Sequence, residues 1–342
     1  MLRCEPAYTA CTASSPALAA SRDHVITSSR SQSAGRNASI RQLAAGILGA
    51  IALAATSAAR AQDLEPRLYA NAPVGLNFII AGYGYSNGGV AADPSIPLEN
   101  ASITVHSAVL AYAHSFAVWG RSAKFDAIAS YSSLSGRADF AGQRQTRDVT
   151  GWVDPRLRVS INLIGAPAMS LREIGTYRQD LIVGASLTVF PPLGQYDEER
   201  LVNLGTNRWS YKPELGMSKA LGPWILELVG AAQFYEDNDE FLGDQTREQE
   251  PVYSVQGGAV RLFSTGSWLA LFATYYQGGR TTVEGVRGRD LKENSRVGLT
   301  YTIPVNRNNS VKLYANTGVS TRTGTDFDSL GLAWQYRWGG GL

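Results

Sequence analysis

Two stretches of the chain hold the residues best placed to do chemistry. In 154–163, Asp154, Arg156, Arg158, Ser160 and Asn162 fall at every second position, with Pro155, Leu157, Val159, Ile161 and Leu163 between them. In 208–218, Arg208, Ser210, Lys212, Glu214 and Ser218 alternate with Trp209, Tyr211, Pro213, Leu215 and Met217. A period of two puts each polar set on one face of a strand and each apolar set on the other. A surface that carries both signs of charge can set the field across a narrow passage. It can equally pair internally and fill the passage. In a bilayer such a surface must face away from lipid, where an Arg or Lys at mid-depth costs about 2–4 kcal/mol. The same parity argument gives the expected pore-lining set: Lys124, Asp126, Asp154, Arg156, Arg158, Asp180, Arg208, Lys212, Glu214, Glu227, Arg296 and Lys312. Within it, Asp154, Arg156, Arg158, Arg208, Lys212 and Glu214 are the first choice for a selectivity region.

Other chemistries find less support. Both cysteines, Cys4 and Cys11, lie near the N-terminus, so residues 62–342 have neither disulfide nor thiolate metal site. His106 and His114 are eight residues apart on one strand face, too distant at ~3.3 Å per residue to share a metal. They are read as polar residues of the lumen or its rim, on the same face as Ser102 and Thr104. The acidic run Glu236-Asp237-Asn238-Asp239-Glu240 lacks EF-hand spacing and reads as a solvated loop. Gly82-Tyr83-Gly84 is followed by no helical pattern, so it is not a nucleotide fingerprint. No cofactor and no metal are expected.

The elements that must position the charges are strands. Twelve are expected, at 74–85, 101–115, 123–134, 149–164, 177–190, 208–219, 223–235, 251–264, 268–277, 293–303, 310–320 and 328–338. The gaps between them alternate short and long. The long ones are 86–100, 135–148, 191–207, 236–250, 278–292 and 321–327. That rhythm predicts an all-β, antiparallel transmembrane barrel with short periplasmic turns and long extracellular loops. An even strand count puts both termini in the periplasm. Trp119, Trp152, Trp209, Trp224, Trp268 and Trp338 sit at or near strand ends, where an aromatic girdle would meet the lipid–water boundary. Gln256 and Arg261 have opposite parity, which predicts a bulge or a shifted boundary in the eighth or ninth strand. Residues 169–173 are expected to form one helical turn.

The first 61 residues read differently. Arg36 and Arg41 precede an apolar run over 43–55, and Ala59-Arg60-Ala61 is a small-x-small cleavage site. The run is shorter than the ~20 residues a helical span needs. Residues 36–61 are therefore expected to be a secretory signal peptide, 1–35 a non-native or disordered leader, and 62–342 the barrel. The whole chain carries net +2, but residues 1–61 hold six of its 31 Lys and Arg and two of its 29 Asp and Glu. The remainder is thus near −2, and nothing points to a nucleic-acid partner.

Particular segments carry a family resemblance. They are Tyr69-Ala70-Asn71-Ala72-Pro73-Val74-Gly75-Leu76-Asn77-Phe78, Gly82-Tyr83-Gly84-Tyr85-Ser86, Gly151-Trp152-Val153-Asp154-Pro155-Arg156, Arg178-Gln179-Asp180, Trp209-Ser210-Tyr211-Lys212-Pro213-Glu214, and the closing Gly331-Leu332-Ala333-Trp334-Gln335-Tyr336-Arg337-Trp338. Together they resemble the bacterial family described as "Putative MetA-pathway of phenol degradation", a group of outer-membrane transporters. The resemblance spans about 62–342. It implies an outer-membrane channel for small compounds, aromatic ones among them, and brings no catalytic residues. The expected partners are such solutes, membrane lipid, lipopolysaccharide at Arg280, Arg287 and Arg289, and the barrel-assembly machinery at Trp338. Two alternatives belong to other classes: a phospholipase-type outer-membrane enzyme, and a structural or adhesive barrel with a closed lumen.

Overall fold

The computed structural model describes residues 65–91, 98–140, 143–200 and 202–342. The expected leader and signal peptide lie outside the described residues. In chain order the strands are β1 (Leu76–Ala91), β2 (Leu98–Val118), β3 (Arg121–Phe140), β4 (Gln143–Trp152), β5 (Arg156–Ile164), β6 (Leu181–Phe190), β7 (Ser210–Leu221), β8 (Trp224–Tyr235), β9 (Asn238–Phe241), β10 (Gln245–Gln249), β11 (Val252–Leu262), β12 (Trp268–Gly278), β13 (Thr281–Val283), β14 (Val286–Arg287), β15 (Lys292–Pro304), β16 (Asn309–Thr321) and β17 (Gly324–Gly339).

These strands close a barrel. Each neighbour pairs antiparallel, β17 returns to pair β1, and β3 completes the ring between β2 and β5. β4 and β5 are one crossing strand broken at 153–155. β4 pairs the loop-side half of β3 and β5 its turn-side half. Pro155 has no N–H to give to a ladder, which suits it to that break. The twelve crossings agree with the sequence reading.

The outer face carries exposed apolar side chains, among them Leu157, Val159, Leu163, Leu215, Met217, Leu226, Leu228, Leu271, Leu330 and Leu332. The opposite parity is buried and polar: Arg156, Arg158, Ser160, Asn162, Ser186, Thr188, Ser210, Ser218, Arg296 and Thr300. Polar inside and apolar outside inverts a water-soluble protein and matches a wall set in lipid. No helix among the described residues is long and apolar enough to cross a membrane.

Several expectations need correction. The gap 135–148 is no loop. β3 and β4 run on as a hairpin paired from Tyr131↔Trp152 to Phe140↔Gln143. The gap 321–327 shrinks to a tight connection between Thr321 and Gly324. Loops 236–250 and 278–292 carry structure of their own, a four-stranded sheet in the order β14-β13-β10-β9. The strands β11 and β12 pair without any shift, so the expected bulge is absent there. Arg261 instead faces outward at the turn end, its guanidinium 5.4 Å from the Trp224 ring centroid and 5.9 Å from that of Phe263. A long side chain at a membrane boundary can reach the headgroups while its stem stays in the apolar layer. Register shifts occur elsewhere, at Asn162/Ile164 and Ser295/Arg296.

Tryptophans follow the girdle with one exception. Trp119, Trp152, Trp209, Trp224 and Trp338 are exposed, as is Trp334. Trp268 packs inward with the cluster of Ile225, Val260, Ala270 and Phe272. The helical turn forms over Leu171–Ile174, with Ser170 and Glu173 making a reciprocal capping box.

Candidate functional site

The lumen is not empty. Before β1 begins, residues 65–70 form a turn inside the barrel, with Arg67 at φ +60° and Ala70 N–H bonded to Arg67 C=O at 3.0 Å. We call this segment the strap. Its side chains reach separate parts of the wall. The Glu65 carboxylate accepts from Arg158 Nη2 at 2.6 Å and lies 3.4 Å from Arg156 Nη2. Arg67 gives its backbone N–H to Glu227 at 2.9 Å and lays its guanidinium 5.6 Å from the Trp268 ring centroid. The Leu68 carbonyl accepts from Lys124 Nζ. Tyr69 is 2% exposed, and its hydroxyl meets Ser186 Oγ at 3.3 Å.

Tyr69 fits because two glycines face it. Gly184 and Gly216 are directly paired across β6 and β7. A Cβ on either would stand 2.2 or 2.3 Å from a Tyr69 ring carbon, closer than any side chain tolerates. The strap leaves the lumen beside the connection that follows β5. Asn71 Nδ2 bonds Pro167 C=O at 3.2 Å and Val74 N–H bonds Met169 C=O at 2.8 Å. The cavity left between strap and wall is about 20 Å³, room for roughly one water. Glu65, Leu68, Arg156, Arg158, Thr188, Phe190, Lys212, Glu214, Val229 and Gln256 line it.

Ten of the twelve sequence candidates lie at or above this constriction. Asp126 accepts from Arg158 Nε at 3.1 Å. Lys212 Nζ pairs with Glu214 at 2.9 Å, and Glu214 also accepts from Ser186 at 3.0 Å. Lys124, Arg156, Arg158, Glu227 and Lys312 all have inward parity and act on the strap through hydrogen bonds or charge. Burial alone would raise the Glu65 carboxyl, but Arg158, Arg156 and Lys312 outweigh it and hold the group well below the usual carboxylate range.

Arg208 and Arg296 stand apart from the strap. Arg208, at the loop end, donates to Gln249 Oε1 and lies 4.8 Å from the Tyr235 ring centroid. Burial and the neighbouring Arg247 push its guanidinium down to about 10. Arg296 is wholly buried on β15 and donates to Phe327 C=O at 2.6 Å.

The other two candidates are not on the inner wall. Asp154 is a loop anchor, accepting from Gly194 N–H at 2.8 Å and from Thr206 N–H and Oγ1 at 2.7 and 2.8 Å. Its strand breaks there, so parity no longer fixes its direction. Asp180 is exposed and pairs with Lys219 at the turn end.

The histidines are also a correction. The exposed Leu110 and Tyr112 show that even positions of β2 face outward, and His106 and His114 share that parity. His106 Nδ1 and Tyr83 Oη share a hydrogen bond at 2.6 Å, and His114 Nδ1 meets Asn77 Oδ1 at 2.9 Å. Among the described residues no serine hydroxyl is hydrogen-bonded to either ring, and no three His, Cys, Asp or Glu side chains gather to hold a metal.

Sequence reasoning missed the strap. Residues 65–70 have no period of two, and their partners lie far along the chain, as with Glu65 and Arg158. The single available signal was Gly184 and Gly216 in otherwise regular strands, since strand glycine often marks close approach.

Residues 82–335 match the profile of the family described as "Putative MetA-pathway of phenol degradation". A solved outer membrane channel from Pseudomonas putida is similar at a TM-score of 0.68 and 22% identity, over 81% of this chain and 100% of that one. The transport unit of the autotransporter AIDA-I from Escherichia coli is similar at a TM-score of 0.47 and 10% identity, over 81% and 93% of the two chains. No curated protein matches. The first likeness establishes the barrel fold.

Proposed function

The chain belongs to the "Putative MetA-pathway of phenol degradation" family, and on that premise we propose that it is an outer-membrane channel for small solutes, closed at rest by its strap. One observation carries the reading: the lumen is filled by a segment that is not part of the wall. Every strand of the ring finds its partners without residues 65–70. The strap is held by hydrogen bonds, charge, one cation–π contact and an apolar cluster of Leu68 and Tyr69 with Ala166 and Ile182, none of them covalent. A barrel that only needed a filled core would have no reason to fill it with a detachable piece.

The family description supports small aromatic compounds as solutes. The pore-lining set under this reading is Lys124, Asp126, Arg156, Arg158, Arg208, Lys212, Glu214, Glu227, Arg296 and Lys312. Contact with lipopolysaccharide at the loop arginines and recognition of Trp338 during barrel assembly belong to the same reading. Arg287 already pairs with Glu250, which weakens its claim on a phosphate.

The test is solute release from liposomes holding the refolded protein, with and without Glu65–Ala70. Deletion should raise the rate at least about tenfold, the ratio that ~1.4 kcal/mol of closure sets. An unchanged rate from a folded deletion variant would leave the closed structural barrel as the better reading.

A further inference from the structure

We propose that the Arg156–Arg158 pair is a binding site for the carboxylate of a passing solute, and that Glu65 occupies it as an internal stand-in. This rests on the reading of the strap as a displaceable closure. Two guanidinium groups converge on one carboxylate oxygen, Oε2 of Glu65, at 2.6 and 3.4 Å. That is the recognition geometry proteins use for a ligand carboxylate, with charge-assisted donors fixed in advance. Here the donors sit on β5, part of the rigid wall, and the acceptor sits on the strap.

The neighbours of Arg158 divide the same way. Its Nε bonds Asp126 at 3.1 Å, and Asp126 is on β3. That contact orients the guanidinium and stays in place if the strap withdraws. Lys212 and Glu214 pair with each other at 2.9 Å, and Glu214 also accepts from Ser186 at 3.0 Å, all within the wall. Removing Glu65 therefore takes away a carboxylate that Arg156 and Arg158 share, at positions 9% and 4% exposed. With Asp126 still on Arg158, the two buried guanidinium groups then face less counter-charge than with the strap in place, which is unfavourable. A solute carboxylate entering the vacated place restores the balance one for one.

The rest of the site sets the body of the ligand. Phe190 and Val229 line the same cavity from the wall, beside the guanidinium groups. The fitting class is a small monocarboxylate on a compact apolar body, for which benzoate is a probe. A neutral phenol or alcohol has the body without the charge. A ligand that binds only the vacated site shifts the strap toward release by its differential affinity and nothing else.

The experiment measures chloride release from liposomes containing the full-length protein at pH 7.5, with added benzoate or benzyl alcohol. Benzoate should accelerate release about tenfold, within what one charge-assisted hydrogen bond supplies. Benzyl alcohol should not. Glu65→Gln should release chloride quickly without benzoate and respond to it little. Glu65→Asp keeps the charge on a shorter stem and should still respond. Folding of each variant is checked by heat-modifiable gel migration. Equal effects of benzoate and benzyl alcohol, or an undiminished benzoate response in Glu65→Gln, would overturn the proposal. The Glu65–Ala70 deletion separates the two levels. Fast release from the deletion with no benzoate effect on the intact chain rejects the carboxylate site and keeps the channel. Slow release from the deletion rejects both.

Discussion

Arg158 on β5 and Arg296 on β15 are both inward, both buried, and solved in opposite ways. Arg158 is 4% exposed and meets two carboxylates, Glu65 at 2.6 Å and Asp126 at 3.1 Å. Arg296 is 0% exposed, yet it meets a carbonyl at 2.6 Å and a hydroxyl at 3.5 Å, with Nε and Nη1 left without a hydrogen-bond partner. The β15 wall carries its charge on neutral oxygens of β17, across the intervening β16. The β5 wall borrows part of its counter-charge from the strap. The difference separates a wall that satisfies its arginine from its own strands from one that shares its arginines with a segment outside the ring.

Breaking Arg158 should have the largest effect. Arg158→Ala leaves Asp126 and Glu65 without their shared cation, and losing one side of a buried pair costs about 3–5 kcal/mol. The temperature at which the folded gel band disappears should fall clearly. A midpoint within error of the parent would mean the pair is solvated. Next is the glycine slot. Gly216→Val drives a Cβ into the Tyr69 ring, where overpacking costs about 1–3 kcal/mol. On the reading of the strap as a displaceable closure, the cost should appear as faster solute release with an unchanged melting midpoint. A lowered midpoint with slow release would place the strain in the wall.

Arg296→Met should do less. It removes two unpartnered buried nitrogens, Nε and Nη1, along with one good bond to Phe327. Exchanging a buried ion for an apolar side chain of similar volume is often neutral or stabilising, by about 1–4 kcal/mol. A midpoint equal to or above the parent is expected, and a large fall would show that Arg296 has a role like that of Arg158. The smallest effect concerns pH. The carboxyl of Glu65 is depressed, so its contribution is complete above the ordinary value of about 4.3 and is lost only as pH falls through the lower, folded value. Strap closure should therefore hold from pH 7 to below about pH 4. Opening centred at about pH 4.3, read as solute release, would mean that Glu65 titrates normally.

These contrasts were only partly legible in the sequence. Alternation alone placed Arg156, Arg158, Lys212 and Glu214 on one face, because a strand has a fixed period and lipid penalises charge. It failed at Asp154, where Pro155 breaks the strand, and at Asp180, which lies before β6 begins. It misplaced His106 and His114, because the outer face of β2 carries them beside Tyr83, Tyr85 and Asn77. It took 135–148 for a loop, since a hairpin that projects past the membrane loses the apolar half of its pattern.

What the sequence by itself determined is the barrel: twelve crossings, their direction, and which parity faces lipid. Those follow from local periodicity and turn spacing, and each strand carries its own share of the information. Only the tertiary structure decided that residues 65–70 lie inside the ring, and against which side chains. Glu65 meets Arg158 across 93 residues, and Arg67 meets Glu227 across 160. Such contacts exist only once the ring has formed, because the wall that receives the strap is assembled from β3, β5, β6, β7, β8 and β12 together.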